Sequence, residues 1–258
     1  MLVSLGLRAQ VKRDSASLRV GIYAGYYISG NETARYYAGT DNNRLINQLN
    51  NPNIRPQIIE ALGNYNFTLA EPAQDMVYNN AFAFELSGEI LLRNYWYISG
   101  RFINARLTAS GIFTLDVQRT PQGGGPPNNL EQVQIGGQET RSHIDLGLGK
   151  QIELGENLYF LLEGGFDLNF VEVVNNEFFV NEERFVLPTF TDPLNPQANP
   201  GNTVGTGFYA MGGIGYELPS GYGFWLKGHF QQTRINVNRT VEDNLAIFTP
   251  AIGFTKFF

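Results

Sequence analysis

The residues Ala246, Phe248, Pro250, Ile252, Phe254, Lys256 and Phe258 occupy every second position of the closing segment, and nearly all are apolar, with smaller or more polar residues between most of them. Alternation with period two is the pattern of an extended strand that has one apolar and one polar face. Seven further segments carry it. A chain that repeats this pattern eight times and ends on an aromatic residue is most economically a transmembrane β-barrel.

Composition narrows the choice. The 258 residues suit one large all-β domain, and no run of eighteen apolar residues exists to make a membrane helix. Barrel strands escape such a search because lipid-facing and lumen-facing residues average out. The 29 Gly, 19 Phe, 13 Tyr and absent Cys fit curved, interface-anchored strands of an exported protein. A net charge of −6 argues against a nucleic-acid partner. Residues 1–10 read as a residual signal-peptide-like segment, apolar up to Ala9, and residues 11–258 as the barrel domain.

Parity assigns the faces. Leu18, Val20, Ile22, Ala24, Tyr26 and Ile28 point outward in the first strand, and Phe82, Phe84, Leu86, Ile90 and Leu92 in the second. The third begins with Trp96, Ile98 and Phe102 outward and continues with Ala105, Leu107, Ala109, Phe113, Leu115 and Val117. One extra residue, a β-bulge near Ile103 or Asn104, would join the two halves. Ile144 to Ile152, Leu158 to Phe170, Val204 to Leu218 and Phe224 to Phe230 supply the next four strands. The connections alternate. Arg93-Asn94, Gly155 to Asn157 and Pro219 to Gly221 are tight, while about 30 to 79, about 119 to 139 and about 174 to 202 are long. Short turns on one rim and long loops on the other predict periplasmic turns and termini and an elaborated extracellular side.

An interfacial girdle is expected from Tyr95, Trp96, Tyr97, Tyr159, Tyr216, Tyr222 and Trp225 near the tight turns, with Lys150 and Lys256 snorkelling to headgroups. Eight strands enclose room for side chains only. The expected lumen network comprises Glu85, Glu89, Asp145, Glu163, Asp167 and Glu217 against Arg101, Arg106 and Lys227, with His143 and His229 nearby. In the first long loop, Leu45, Ile46, Leu49 and then Ile58, Ile59, Leu62 have helical spacing, with Asp41 as a cap, Pro56 as a start and Gly63 as a stop. Such helices either cover the barrel mouth or meet a partner. The segments Pro121 to Pro127 and Pro188 to Pro200 read as surface coil.

The opening Ser17 to Tyr26, the start Leu7-Arg8-Ala9-Gln10 and the end Gly253 to Phe258 resemble the small outer-membrane β-barrel proteins of Bacteroidota, including PorT-type barrels; the topology is similar to that of OmpA and OmpX. That resemblance implies an eight-stranded antiparallel up-and-down barrel in the outer membrane of a Gram-negative bacterium. It also implies an end signal read by the barrel-assembly machinery, matched here by Ile252, Phe254 and Phe258. Lys256 departs from the pattern, with Phe257 as a substitute.

The residues then point to a structural, adhesion or envelope-complex accessory role. The partners expected are outer-membrane lipids, lipopolysaccharide and an envelope protein at the long loops. A lipid-A- or phospholipid-modifying enzyme is the alternative, with His143, Asp145 and Ser142 or Ser110 as nominal members of a site. By parity His143 faces the lumen and Ser142 does not. A narrow solute channel is the third reading. No cofactor is expected, since neither an Asp-rich calcium loop nor a Cys or His cluster is present.

Overall fold

A computed structural model describes residues 17–119, 129–188, 202–237 and 241–258; the signal-like segment, the Pro121 to Pro127 run and most of the Pro188 to Pro200 segment lie outside them. The strands are β1 (Ser17–Ser29), β2 (Phe67–Glu71), β3 (Val77–Tyr78), β4 (Ala81–Leu91), β5 (Trp96–Val117), β6 (Leu130–Gly155), β7 (Leu158–Val180), β8 (Glu183–Val186), β9 (Asn202–Glu217), β10 (Tyr222–Val237) and β11 (Val241–Phe257). Eight of them close a ring, β1 to β4, β5, β6, β7, β9, β10, β11 and back to β1, with every pair antiparallel. β2 and β3 extend the sheet along β5, and β8 folds back on β7.

The register fixes the size of the ring. Leu18 pairs with Ile90, then the path runs through Ile98, Leu148, Gly164, Ala210, Phe230 and Phe248, and it returns to β1 at Ile28, ten residues further along. Eight strands with that stagger tilt by about 40° and enclose a radius of about 8 Å. Side chains fill such a space.

Outside the ring runs an apolar belt. Phe166 is 64% exposed, Leu226 61% and Ile252 65%, levels that only lipid or a partner protein makes tolerable around a whole circumference. The belt stops at one level. Beyond Phe102 the outward residues of β5 are Asn104, Arg106, Thr108 and Ser110; beyond Ile144 those of β6 are Ser142, Thr140 and Gln138; beyond Phe230 those of β10 are Gln232 and Arg234.

At that level the interior inverts as well. Ile103, Ala105, Leu107, Ala109, Phe113 and Leu115 of β5 are buried inside, together with Val133, Ile135, Phe178, Ile235 and Ile247. The expected bulge at Ile103 or Asn104 is therefore absent: pairing of β5 with β6 runs from Trp96↔Lys150 to Asp116↔Leu130 without a slip. Parity is constant and the surroundings change. Below the edge lipid lies outside and polar groups inside; above it water lies outside and the interior is mainly apolar, with the Arg141 and Glu139 pair buried within it. Bulges lie elsewhere: in β7, where Glu139 pairs with Val173 and Gln138 with Asn175, so that Val174 is extra, in β6 between Glu153 and Gly155, and in β2 between Leu69 and Glu71.

The strands also run further than expected. β6 begins at Leu130 and β7 reaches Val180, which turns parts of two predicted loops into a sheet standing above the belt. At the other rim the tight turns use left-handed backbone at Asn94, Tyr95, Asn157 and Gly221. The first described residue, Ser17, and the last, Phe258, lie at this turn end, where Phe258 and Leu18 exchange backbone hydrogen bonds.

The first long loop folds into the mouth of the barrel. A 3₁₀ segment, Glu32–Ala38, ends at Gly39 with φ of 66° and is followed by α1 (Arg44–Leu49) and α2 (Arg55–Ala61). Tyr36, Tyr37, Leu45, Leu49, Ile58 and Leu62 are buried against the apolar interior of the long strands. Pro56 lies in the first turn of α2 as expected. Asp41 does not cap α1, whose N-cap is Asn43; its carboxylate accepts instead from the Arg44 guanidinium at 2.8 Å.

Candidate functional site

The lumen is built in layers, each set by which strands bring a polar residue to the same height. Nearest the turn end, Arg19 donates to Glu89 at 2.6 Å and to Glu217 at 3.2 Å, and its guanidinium lies 4.8 Å from the Trp225 ring and 5.5 Å from that of Tyr97. Above it Arg101 is paired with Glu163 and lies 3.3 Å from Glu85, which also takes Lys227. Tyr209 and Ser99 donate to Glu163 as well. Each of these groups is nearly or wholly buried, so each carboxylate needs its cation and hydroxyls to replace water.

Midway up, Asp145 and Asp167 face one another across β6 and β7. His143 bridges Asp167, 2.9 Å from Nδ1, and the Tyr27 hydroxyl, 2.8 Å from Nε2. His229 approaches Asp145 at 3.3 Å and Gln231 donates to Asp145 at 3.4 Å. Higher still, Arg141 pairs with Glu139, which accepts from the hydroxyls of Tyr37 at 2.8 Å and Tyr78 at 3.0 Å. Burial first and the Glu139 carboxylate second push both tyrosines well above the ordinary phenol range, so they stay neutral donors.

Flat backbone makes room for the rings. Tyr23 lies directly on Gly253 and Trp225 on Gly215, both cross-strand neighbours, and a Cβ at either glycine would overlap the aromatic ring. Tyr97 covers Gly149 in the same way. These aromatic-on-glycine pairs let strands curve tightly while the lumen stays packed.

Placement of the expected site residues follows from this. Glu85, Glu89, Arg101, Asp145, Glu163, Asp167, Glu217 and Lys227 meet inside. Arg106 does not: unbroken parity turns it outward, just above the belt, where it donates to Gln138. Arg19, Glu139, Arg141 and Gln151 are further members, beyond the expected network. Parity could have found Arg19, which alternates with Leu18 and Val20, and Arg141 and Glu139, which share a face with His143.

The girdle divides in two. Trp96, Tyr216 and Tyr222 are on the lipid face, with Lys150 over the Trp96 ring at 5.4 Å and Lys256 over that of Tyr222 at 3.8 Å. Tyr95 sits in the turn and its hydroxyl donates to Glu153 at 3.3 Å. Trp225, Tyr97 and Tyr159 turn inward instead and pack around Arg19 and the lower lumen, because their positions are odd relative to the outward set. Ile252, Phe254 and Phe258 are outward on β11 and beyond it, whereas Phe257 points inward, 5.3 Å from Arg19, and so cannot stand in for Lys256 on the lipid face. Ser142 and Ser110 face outward, on the opposite side of the wall from His143 and Asp145.

A closed eight-strand ring, a continuous apolar belt and a polar, filled lumen together define a small transmembrane β-barrel, here with a packed cap. No protein-family model matches the sequence, and no curated protein matches it. Among solved structures the chain is similar to Neisserial surface protein A (NspA), at 8% identity over 94% of this chain and 99% of that one, with a TM-score of 0.46. It is similar also to the outer membrane protein OprG from Pseudomonas aeruginosa, at 11% identity over 94% and 95% with a TM-score of 0.42, and to Ail of Yersinia pestis, at 11% over 93% and 99% with a TM-score of 0.38. The architecture stands on the strand register and belt rather than on these likenesses.

Proposed function

We propose that the chain is an integral barrel of the outer membrane of a Gram-negative bacterium, with both termini periplasmic, serving a structural, adhesion or envelope-accessory role through its extracellular end. One observation carries this reading: the lumen is occupied from rim to rim by an ion-pair lattice and then by a dry cap, while the strands rise past the belt to hold a built surface above the membrane. A barrel with its interior spent on packing has its outer faces left for work. Lipids and lipopolysaccharide surround the belt, and Ile252, Phe254 and Phe258 serve the barrel-assembly machinery during insertion.

The reading is non-enzymatic and non-conducting. Separation of Ser142 and Ser110 from His143 by the barrel wall supports the first, and the filled lumen the second. Reconstitution in a planar bilayer tests the channel alternative: no discrete current steps are expected, and reproducible steps would replace this reading. Lipid A from cells with and without the protein should have the same mass spectrum. Native-membrane co-purification should then recover an envelope protein dependent on residues of the cap.

A further inference from the structure

Above the belt the outer face of β5, β6 and β7 carries a groove of about 830 Å³. Register lays its floor in cross-strand rows: Thr108, Gln138 and Asn175 nearest the belt, then Ser110, Gly136 and Glu177, then Ile112, Gln134 and Phe179. The strap of Pro72 to Asp75 makes one wall. Ile112 is 52% exposed, Val77 43% and Phe179 39%, among hydroxyls, amides and the carboxylates of Glu71, Asp75 and Glu177.

We propose that this groove binds the uncharged saccharide chain of a glycolipid standing in the outer leaflet beside the barrel, an inference that rests on the extracellular end being the working face. Three features choose that occupant. First, the lining mixes side-chain amides and hydroxyls, able to donate and accept at once, with an apolar and an aromatic platform, which suits the alternating hydroxyl and C–H faces of a pyranose. Second, the described lining residues include the carboxylates of Glu71, Asp75 and Glu177 and no lysine or arginine, Arg184 beside the floor being already paired with Glu177, so a phosphate- or sulfate-bearing chain is disfavoured and sugar hydroxyls are accepted. Third, the groove opens sideways rather than upward into the medium. At a strand tilt of about 40° its rows lie roughly 15 to 25 Å above the belt edge, the height of the sugars in a glycolipid leaflet. Arg106 stands at its foot, bound to Gln138 and level with the headgroups, where a lipid phosphate would meet it.

The test uses full-length protein in nanodiscs and measures retention of two lipopolysaccharide probes, one with a long uncharged saccharide repeat and one truncated to lipid A and its first acidic sugars. The long form is expected to bind about tenfold more tightly. F179A and Q134A should each remove most of that difference, whereas R106Q should weaken both forms alike. Soluble repeat released from its lipid should compete weakly. Equal retention of the two probes, or a preference unchanged in F179A and Q134A, overturns the proposal; soluble repeat binding as tightly as the glycolipid overturns the leaflet source. Altered migration of each unboiled variant on a denaturing gel confirms folding, and bilayer currents report separately on the wider reading.

Discussion

Arg101 stands where three buried carboxylates converge, Glu163, Glu85 and, at 3.8 Å, Glu89. Removing one partner of such a set leaves uncompensated charge in a space that water cannot refill, a loss of about 3–5 kcal/mol. R101M should therefore unfold at clearly lower urea concentration in lipid vesicles, and the double variant R101M/E163Q should recover part of the loss. Recovery is the informative half, because it separates stranded charge from lost volume. The aromatic-on-glycine contacts make a second residue-scale prediction: G253V drives a side chain into the Tyr23 ring and should impair folding, while G253V/Y23A should fold better than G253V alone. Parity made the charges legible, but not their partners. Arg106 is a plain case, since an assumed bulge moved it to the wrong face, and nothing in its neighbours' identity distinguishes a slip in register from a change of solvent.

At the scale of elements, the plug formed by residues 32–62 is held by Tyr37 on Glu139, by Thr33 on the hydroxyl of Tyr78, which is itself bound to Glu139, and by burial of Tyr36, Leu45 and Ile58. Both tyrosine hydroxyls ionise only well above the unfolded tyrosine value of about 10. A raised folded pKa on an acid favours the protonated folded state, so their contribution is whole below about pH 10 and is lost as pH rises through the folded value. Hydrogen exchange in residues 32–62 should be flat between about pH 6 and 9, after correction for intrinsic rates, and should accelerate above about pH 10. Acceleration in the belt strands at the same pH would show general unfolding rather than release of the plug. The helical spacing of Leu45 to Leu49 and Ile58 to Leu62 was readable from the chain. What they cover was not, because their apolar counterparts come from β5, β7, β10 and β11, far away in sequence.

For the whole molecule, the belt edge is the main quantity to test. Arginine at Leu146, in the belt, should cost about 2–4 kcal/mol, and arginine at Gln134, above the edge, close to none. Equal costs at the two positions, measured by denaturant unfolding in vesicles, would mean that the edge is misplaced. Deleting Phe258 should slow assembly into membranes without changing the final fold, since only its backbone pairs with Leu18. Alternation along the chain is enough for the class of fold, the eight crossings, the outward set within the belt and the rim of tight turns, because period two is a local property that each strand carries alone; it misplaced the apolar set from Ala105 to Val117, which lies inside. Where the membrane stops, how the lumen charges pair and that the first long loop forms a packed cap follow from the assembled barrel alone. Those depend on the height at which each strand meets its neighbours, and height is set by the stagger of the closed ring, which no single strand encodes.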